Sequence, residues 1–234
     1  MIYSFDIFDT TLTRSVARPK DIFRLMQRKL SGYTHQFPRS LIDHFYSARL
    51  NAEFSVRLSS YLHKKPEITL KDIYETLCAK FPLNQQQCRD LMDLEMATEY
   101  ESIYPIAWTL SQILSLRQNK ERIIFVSDMY LPIDFIERLL VKVGAYQKHT
   151  DKIYLSSTLG VAKLDGGLFR YILEQEQCQP SEICHYGDDI QSDVYVPFKM
   201  GINIYGSSLD EVHNTLKSYS YKKMQKYIRY IFQC

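Results

Sequence analysis

Several residues able to do chemistry stand just past short apolar runs of this chain. The run Ile2–Phe5 gives way to Asp6, with Asp9 and Thr10 close behind and no glycine to relax the turn. Arg122–Val126 leads into Ser127 and Asp128, and Lys152–Leu155 into Ser156 and Ser157, with Lys163 in the loop beyond. Glu182–Tyr186 leads into Gly187, Asp188, Asp189 and Asp193. Short apolar runs closed by such residues read as buried strands, and the C-terminal edge of a parallel sheet is where α/β folds bind ligands. Asp6 and Asp188 brought together suit a hard cation. Mg²⁺ takes few carboxylates, keeps waters and bridges to phosphate oxygens. Ser127, ahead of a helix, reads either as an N-cap or as a contact to an anion held at the helix N-terminus. A lone Lys163 would be a solvated charge; its place after the third strand favours a role at the site.

The elements that must position these groups follow from pattern. A fifth strand, Gly201–Gly206, carries no chemistry, and helices are expected over 107–118, 132–143 and 168–175. Strands alternating with helices predict a parallel, three-layer α/β core. The stretch between Asp6 and Ser127 is too long for one crossover helix. From Pro19 to Ile103 it shows helices and no convincing strand: 21–30 after Pro19, 39–62, a helix capped by Thr69, and 85–100 capped by Asn84. Arg49, Glu53 and Arg57 recur at four-residue spacing, which predicts an exposed, ion-paired helix face; Glu95 and Glu99 read the same way.

An Asp-x-x-x-Thr strand end, a Ser strand end, a Lys and a Gly-Asp with a further Asp, in that order, resemble the motifs of the haloacid dehalogenase-like (HAD) hydrolase superfamily. The resemblance covers Asp6 and Thr10, Ser127, Lys163, and Gly187-Asp188 with Asp193. It implies a Rossmann-like core over residues 1–14 and 105–208, an inserted α-helical cap over 15–104, and a basic, aromatic segment over 209–234. It implies Asp6 as nucleophile, Ser127 on a phosphate oxygen, Lys163 neutralising the transferring group, and Thr10 bonding near the nucleophile. Mg²⁺ would be held by Asp6, the Phe8 carbonyl and Asp188, with Asp193 as a ligand or orienting a bound water and Asp189 able to stand in. Arg14 and Asp128 would contact a small phosphorylated substrate, a sugar or nucleotide phosphate.

One family position departs from the pattern. The general acid/base Asp of the family's phosphatases is Phe8 here. Asp9 or Asp128 then takes over the proton, or the substrate has a leaving group that needs none, or the site binds a phosphorylated ligand and turns it over slowly. The Asp-Ile-Phe-Asp-Thr string resembles a subgroup found with surface-polysaccharide glycosyltransferases, so a weakened binding or scaffold domain is the competing reading. A phosphotransferase is a further one.

Composition sets outer bounds. The chain has 234 residues and a net charge of +2, which gives no electrostatic case for nucleic acid. No apolar stretch reaches the roughly 20 residues that span a bilayer, and no export signal precedes the first strand. The cysteines, Cys78, Cys88, Cys178, Cys184 and Cys234, are scattered without a paired motif, which predicts a reduced, cytoplasmic protein. Residues 209–234 mix lysines with tyrosines and isoleucines, the pattern of a helix packed on the core, with an interfacial helix on an anionic membrane or a docking surface for a protein partner as the other readings.

Overall fold

The computed structural model describes residues 1–63 and 67–205. The expected segment 209–234 and the end of the core at 208 lie outside the described residues. In chain order the strands are β1 (Ile2–Asp6), β2 (Leu12–Arg14), β3 (Ile103–Pro105), β4 (Arg122–Ser127), β5 (Lys152–Leu155), β6 (Ile183–Tyr186) and β7 (Asn203–Ile204). The helices are α1 (Ile22–Leu30), α2 (Arg39–Leu62), α3 (Leu70–Cys78), α4 (Gln85–Ser102), α5 (Ala107–Gln118), α6 (Ile133–Lys142), α7 (Ser156–Leu159), α8 (Gly167–Glu176) and α9 (Val196–Lys199).

Five strands form one sheet in the order β5-β4-β1-β6-β7, and every neighbouring pair is parallel. After β1 the chain adds β4 and β5 on one side, then returns to add β6 and β7 on the other. That reversal places the switch point of the sheet at the end of β1, where α/β sheets open a crevice. Alternate residues of β4 serve opposite faces. Ile123 and Phe125 join Phe135, Ile136 and Leu139 of α6, whereas Ile124 and Val126 join Leu168, Phe169 and Ile172 of α8. Helices therefore cover both faces, giving the three layers that the strand–helix alternation predicts.

Helices α1–α4 lie between β2 and β3 in the sequence and bury Phe23, Met26, Leu41, Phe45, Ile73, Leu77 and Leu91 among themselves and the core. Two of their starts are capping boxes, Thr69 with Asp72 and Asn84 with Gln87, in which side chain and backbone satisfy each other's free N–H groups.

The structure corrects several expectations. The helical block is bracketed by strands: β2 and β3 pair antiparallel, Leu12 with Pro105 and Arg14 with Ile103. The third core strand ends at Leu155, where its apolar run ends, but Ser156–Leu159 then turns helical rather than running on as loop, and Gly160, at φ +71°, closes that turn in a left-handed conformation. The charged helix face is ion-paired, but it is exposed only at its Arg57 end. Arg49 is fully buried, donating to Glu95 at 2.7 and 2.8 Å and to Glu53 at 3.0 Å, and Glu95 and Glu99 are buried with it. Tyr74 also donates to Glu95, at 2.7 Å, so the buried carboxylate is fully used. Cys78 and Cys88, at the end of α3 and in the first turn of α4, are joined as a disulfide with Cα atoms 6.2 Å apart, so these two are not free thiols. No described helix is long and apolar enough to cross a membrane.

Candidate active site

Asp6 ends β1 with only 5% of its surface exposed. It pairs in register with Val126, so Ser127, one residue further on β4, stands beside it at the sheet edge. The turn after β1 is pinned by hydroxyls. Thr11 Oγ1 donates to the Asp6 carbonyl at 2.7 Å, Thr109 Oγ1 to the Thr10 carbonyl at 2.6 Å, and Thr10 Oγ1 to Asp188 at 3.1 Å. Threonine suits this place because its β-branch is stiff while its hydroxyl reaches nearby backbone.

Lys163 reaches the site from the loop after α7. Its ammonium lies 2.5 Å from Asp6 Oδ1 and 2.6 Å from Asp193 Oδ1, and the whole side chain is buried. Its backbone is fixed as well, since the Lys163 N–H donates to both oxygens of Asp128 at 2.8 and 3.0 Å. Asp193 comes from a π-helical segment, Ile190–Tyr195, a form that recurs at functional sites. It packs against Gly187, where a side chain would collide with it.

Carboxylate oxygens of Asp6, Asp188 and Asp193 lie within 4.8 Å of one another. The Phe8 carbonyl accepts no hydrogen bond among the described residues. Hard oxygen donors converging on one point fit Mg²⁺.

The charges respond to this crowding. Burial, together with the charges of Asp193 and Asp188, raises the Asp6 carboxyl to about 7 despite Lys163. Burial also pushes Asp193 upward, but His185 and Lys163 outweigh it and hold that carboxyl at about 2. Burial disfavours the Lys163 ammonium, and the negative charges of Asp6 and Asp193 more than restore it, leaving its pKa raised. Burial and the charges of Asp193 and Asp9 raise Asp188, while the Thr10 hydroxyl opposes them. Burial is also the main cause of the raised pKa of Asp128.

Other expected residues fall differently. Asp189 is an N-cap: its Oδ1 accepts the N–H groups of Gln191 and Ser192 at 3.0 and 2.7 Å and the Ser192 hydroxyl at 2.9 Å, and it is not among the carboxylates that converge with Asp6. Arg14 is committed to Glu99, donating at 2.8 and 3.1 Å, and its guanidinium lies flat over the Phe8 ring at 4.3 Å. It lines the cleft, with Nε and one Nη2 hydrogen engaged by Glu99. Asp9 is exposed, adopts a left-handed φ of +62°, and its side chain makes no hydrogen bond among the described residues. A non-glycine residue held there is strained, a state that clusters at functional sites. Ser127 Oγ likewise has no hydrogen-bond partner among the described residues, although the residue is buried.

A cleft of about 480 Å³ adjoins the site between the helices and the sheet edge, lined by Phe8, Asp9, Arg14, Arg57, Asp128 and Tyr130 among others; Asp6 and Lys163 do not line it. Leu70 N–H donates to the Tyr130 carbonyl at 2.8 Å, which ties the start of α3 to one of the lining residues. Sequence reasoning gave no role to His185, which is fully buried, 3.1 Å from Asp193 Oδ1 and 2.9 Å from Ser4 Oγ. The available signal was a pair of polar residues, Ser4 and His185, inside otherwise apolar strands. Glu67 was missed too; it accepts from Ser156 Oγ at 3.2 Å.

No family model matches the chain, and no curated protein does. Solved structures do. A 2-haloacid dehalogenase from Pseudomonas syringae aligns with a TM-score of 0.63 at 15% identity, over 89% of each chain. A HAD-family enzyme from Bacteroides thetaiotaomicron, in complex with magnesium and inorganic phosphate, aligns with a TM-score of 0.56 at 16% identity, over 89% of this chain and 96% of that one. The chain has the HAD fold. A magnesium-bound HAD hydrolase, YfnB from Bacillus subtilis, also shares it, with a TM-score of 0.54 at 16% identity over 87% of this chain and 84% of that one. Superposed on sequences this distant, the likeness concerns architecture: a parallel core with a helical insertion after its central strand.

Proposed function

We propose that this chain is a Mg²⁺-dependent phosphohydrolase that acts on a small phosphorylated metabolite through an aspartyl-phosphate on Asp6. The observation that carries the reading is the grip of Lys163 on both Asp6 and Asp193, beside Asp188, at the switch point of the sheet. A carboxylate nucleophile divides hydrolysis into two displacements. An Asp6 oxygen forms a bond to phosphorus as the bond to the leaving oxygen breaks. Water then attacks the phosphorus, releases phosphate and restores Asp6.

Each step brings negative charge toward a carboxylate, so fixed positive charge must offset it. Lys163 supplies that charge, and the Ser127 hydroxyl is free to donate to a phosphate oxygen. Asp6, Asp188, Asp193 and the Phe8 carbonyl would hold Mg²⁺, which when bound neutralises phosphoryl charge and favours the ionised form of Asp6.

The leaving oxygen needs a proton unless it departs as a stable anion. Phe8 cannot give one. Asp128 is engaged with the Lys163 backbone, which leaves Asp9, unbonded and facing the cleft, as the group we assign to proton transfer. The competing reading, a binding domain that turns over slowly, draws on the Phe8 ring sealed beneath Arg14.

A panel of phosphorylated metabolites with Mg²⁺, run beside Asp6→Asn and beside EDTA, tests the proposal. Turnover that both treatments abolish supports it. No turnover of any phosphoester, with Mg²⁺ and phosphate still binding, would replace the enzyme with the binding domain.

A further inference from the structure

Beneath the carboxylates, a buried line of polar groups runs from Ser4 through His185 and Asp193 to Lys163 and Asp6. Ser4 and His185 are register partners on β1 and β6, so their side chains share one face of the sheet. His185 is fully buried, and Phe169 of α8 closes over it edge-on at 5.1 Å between ring centres. An apolar pair would fill this position with less cost, since each buried polar group must find a partner. The partner these two find is the site: Ser4 Oγ lies 2.9 Å from His185 Nδ1, and His185 Nε2 lies 3.1 Å from Asp193 Oδ1.

Directionality follows from chemistry. Asp193 is a carboxylate and only accepts, so His185 must donate from Nε2. Nδ1 of the neutral ring then accepts, and the Ser4 hydroxyl donates to it. Asp193 Oδ1 thus receives both His185 and the Lys163 ammonium, while Oδ2 takes the Asp189 N–H at 3.2 Å. A carboxylate held at both oxygens cannot rotate, and the ammonium that it shares with Asp6 is fixed with it.

We propose that Ser4 and His185 are a positioning pair that locks Asp193 in the orientation that aims Lys163 at Asp6. The claim deepens the phosphohydrolase reading and rests on it for its kinetic consequence only. His185→Phe keeps the ring and removes the donor; His185→Gln restores an amide donor at the depth of Nε2.

Three measurements on the full chain test it. Nitrogen NMR of the wild-type imidazole should show the Nε2–H tautomer; an Nδ1–H tautomer would overturn the proposal. Calorimetric Mg²⁺ titration should show affinity reduced by about 10–100-fold in His185→Phe, the usual cost of losing a group that orients a ligand, and largely recovered in His185→Gln. With an aryl phosphate, kcat should fall over a similar range while KM holds. Unchanged Mg²⁺ affinity in a folded His185→Phe protein would overturn the proposal. If wild-type protein hydrolyses nothing, the enzyme reading fails, and the tautomer and Mg²⁺ titration still judge the pair.

Discussion

A methyl group placed on Gly187 would lie 2.3 Å from Asp193 Cβ and 2.4 Å from its Cγ, so the glycine exists to let the carboxylate close on Lys163. Real contacts of this kind are never so short, and one of the two residues must move. Gly187→Ala should therefore displace Asp193 and reduce activity and Mg²⁺ affinity by about 10–100-fold. Circular dichroism should stay near wild type, because the collision is confined to one loop. Full activity in this variant would show that Asp193 is dispensable.

Asp6→Asn should abolish turnover and change stability in a pH-dependent way. The native carboxyl is raised to about 7, so the folded chain holds this proton more tightly than the unfolded one. The stabilisation is complete below the ordinary carboxylate value and is lost as pH rises through about 7. An amide never ionises. In EDTA the variant should thus melt above wild type at pH 8, by about 2–4 °C for each kcal/mol recovered, and the gap should close toward pH 4. Melting curves across that range check the sign.

Asp9→Asn should slow alkyl phosphates by about 10²–10⁴, the usual worth of general acid help, and should affect aryl phosphates far less. Asp128→Asn should slow both classes, because it loosens the Lys163 backbone. Steady-state kinetics on matched substrates separates the two residues, and the opposite pattern would move the proton to Asp128.

Glu95→Ala should destabilise the protein by about 3–5 kcal/mol, the cost of leaving a buried charge without its partner. Arg49 has no route to solvent, and its guanidinium is stacked 4.4 Å from the centre of Phe23 and 5.2 Å from that of Tyr130. Chemical denaturation measures the loss. A change below about 1 kcal/mol would mean that Glu53 replaces Glu95.

The core strands were legible because each is a short apolar run, and Asp6 because it directly closes one of them; the convergence of Lys163 and Asp193 on Asp6 was implied by the resemblance, since each lies several residues beyond its strand. Thr69 and Asn84 announced their helices by cap chemistry. Other features had no local signal. Arg49 with Glu53 looks the same on an exposed face as in a core, and its burial depends on Glu95, 46 residues away. His185 needed Ser4, 181 residues distant, to acquire a role. The strands β2 and β3 are three residues each, too short to show a period. Asp189 and Asp193 are equivalent acids in the sequence, and the π-helical start between them made one a cap and the other a partner of Lys163.

Both passages of the chain between the sheet and helices α1–α4 travel side by side in the β2–β3 ribbon, stitched further by the Ser15 N–H to the Ser102 carbonyl at 2.8 Å. Two bonded strands bend as one strip. The Leu70 N–H on the Tyr130 carbonyl at 2.8 Å and the Ser156 hydroxyl on Glu67 at 3.2 Å tie the same block to the loops at the sheet edge, so a displacement of the block would have to break both.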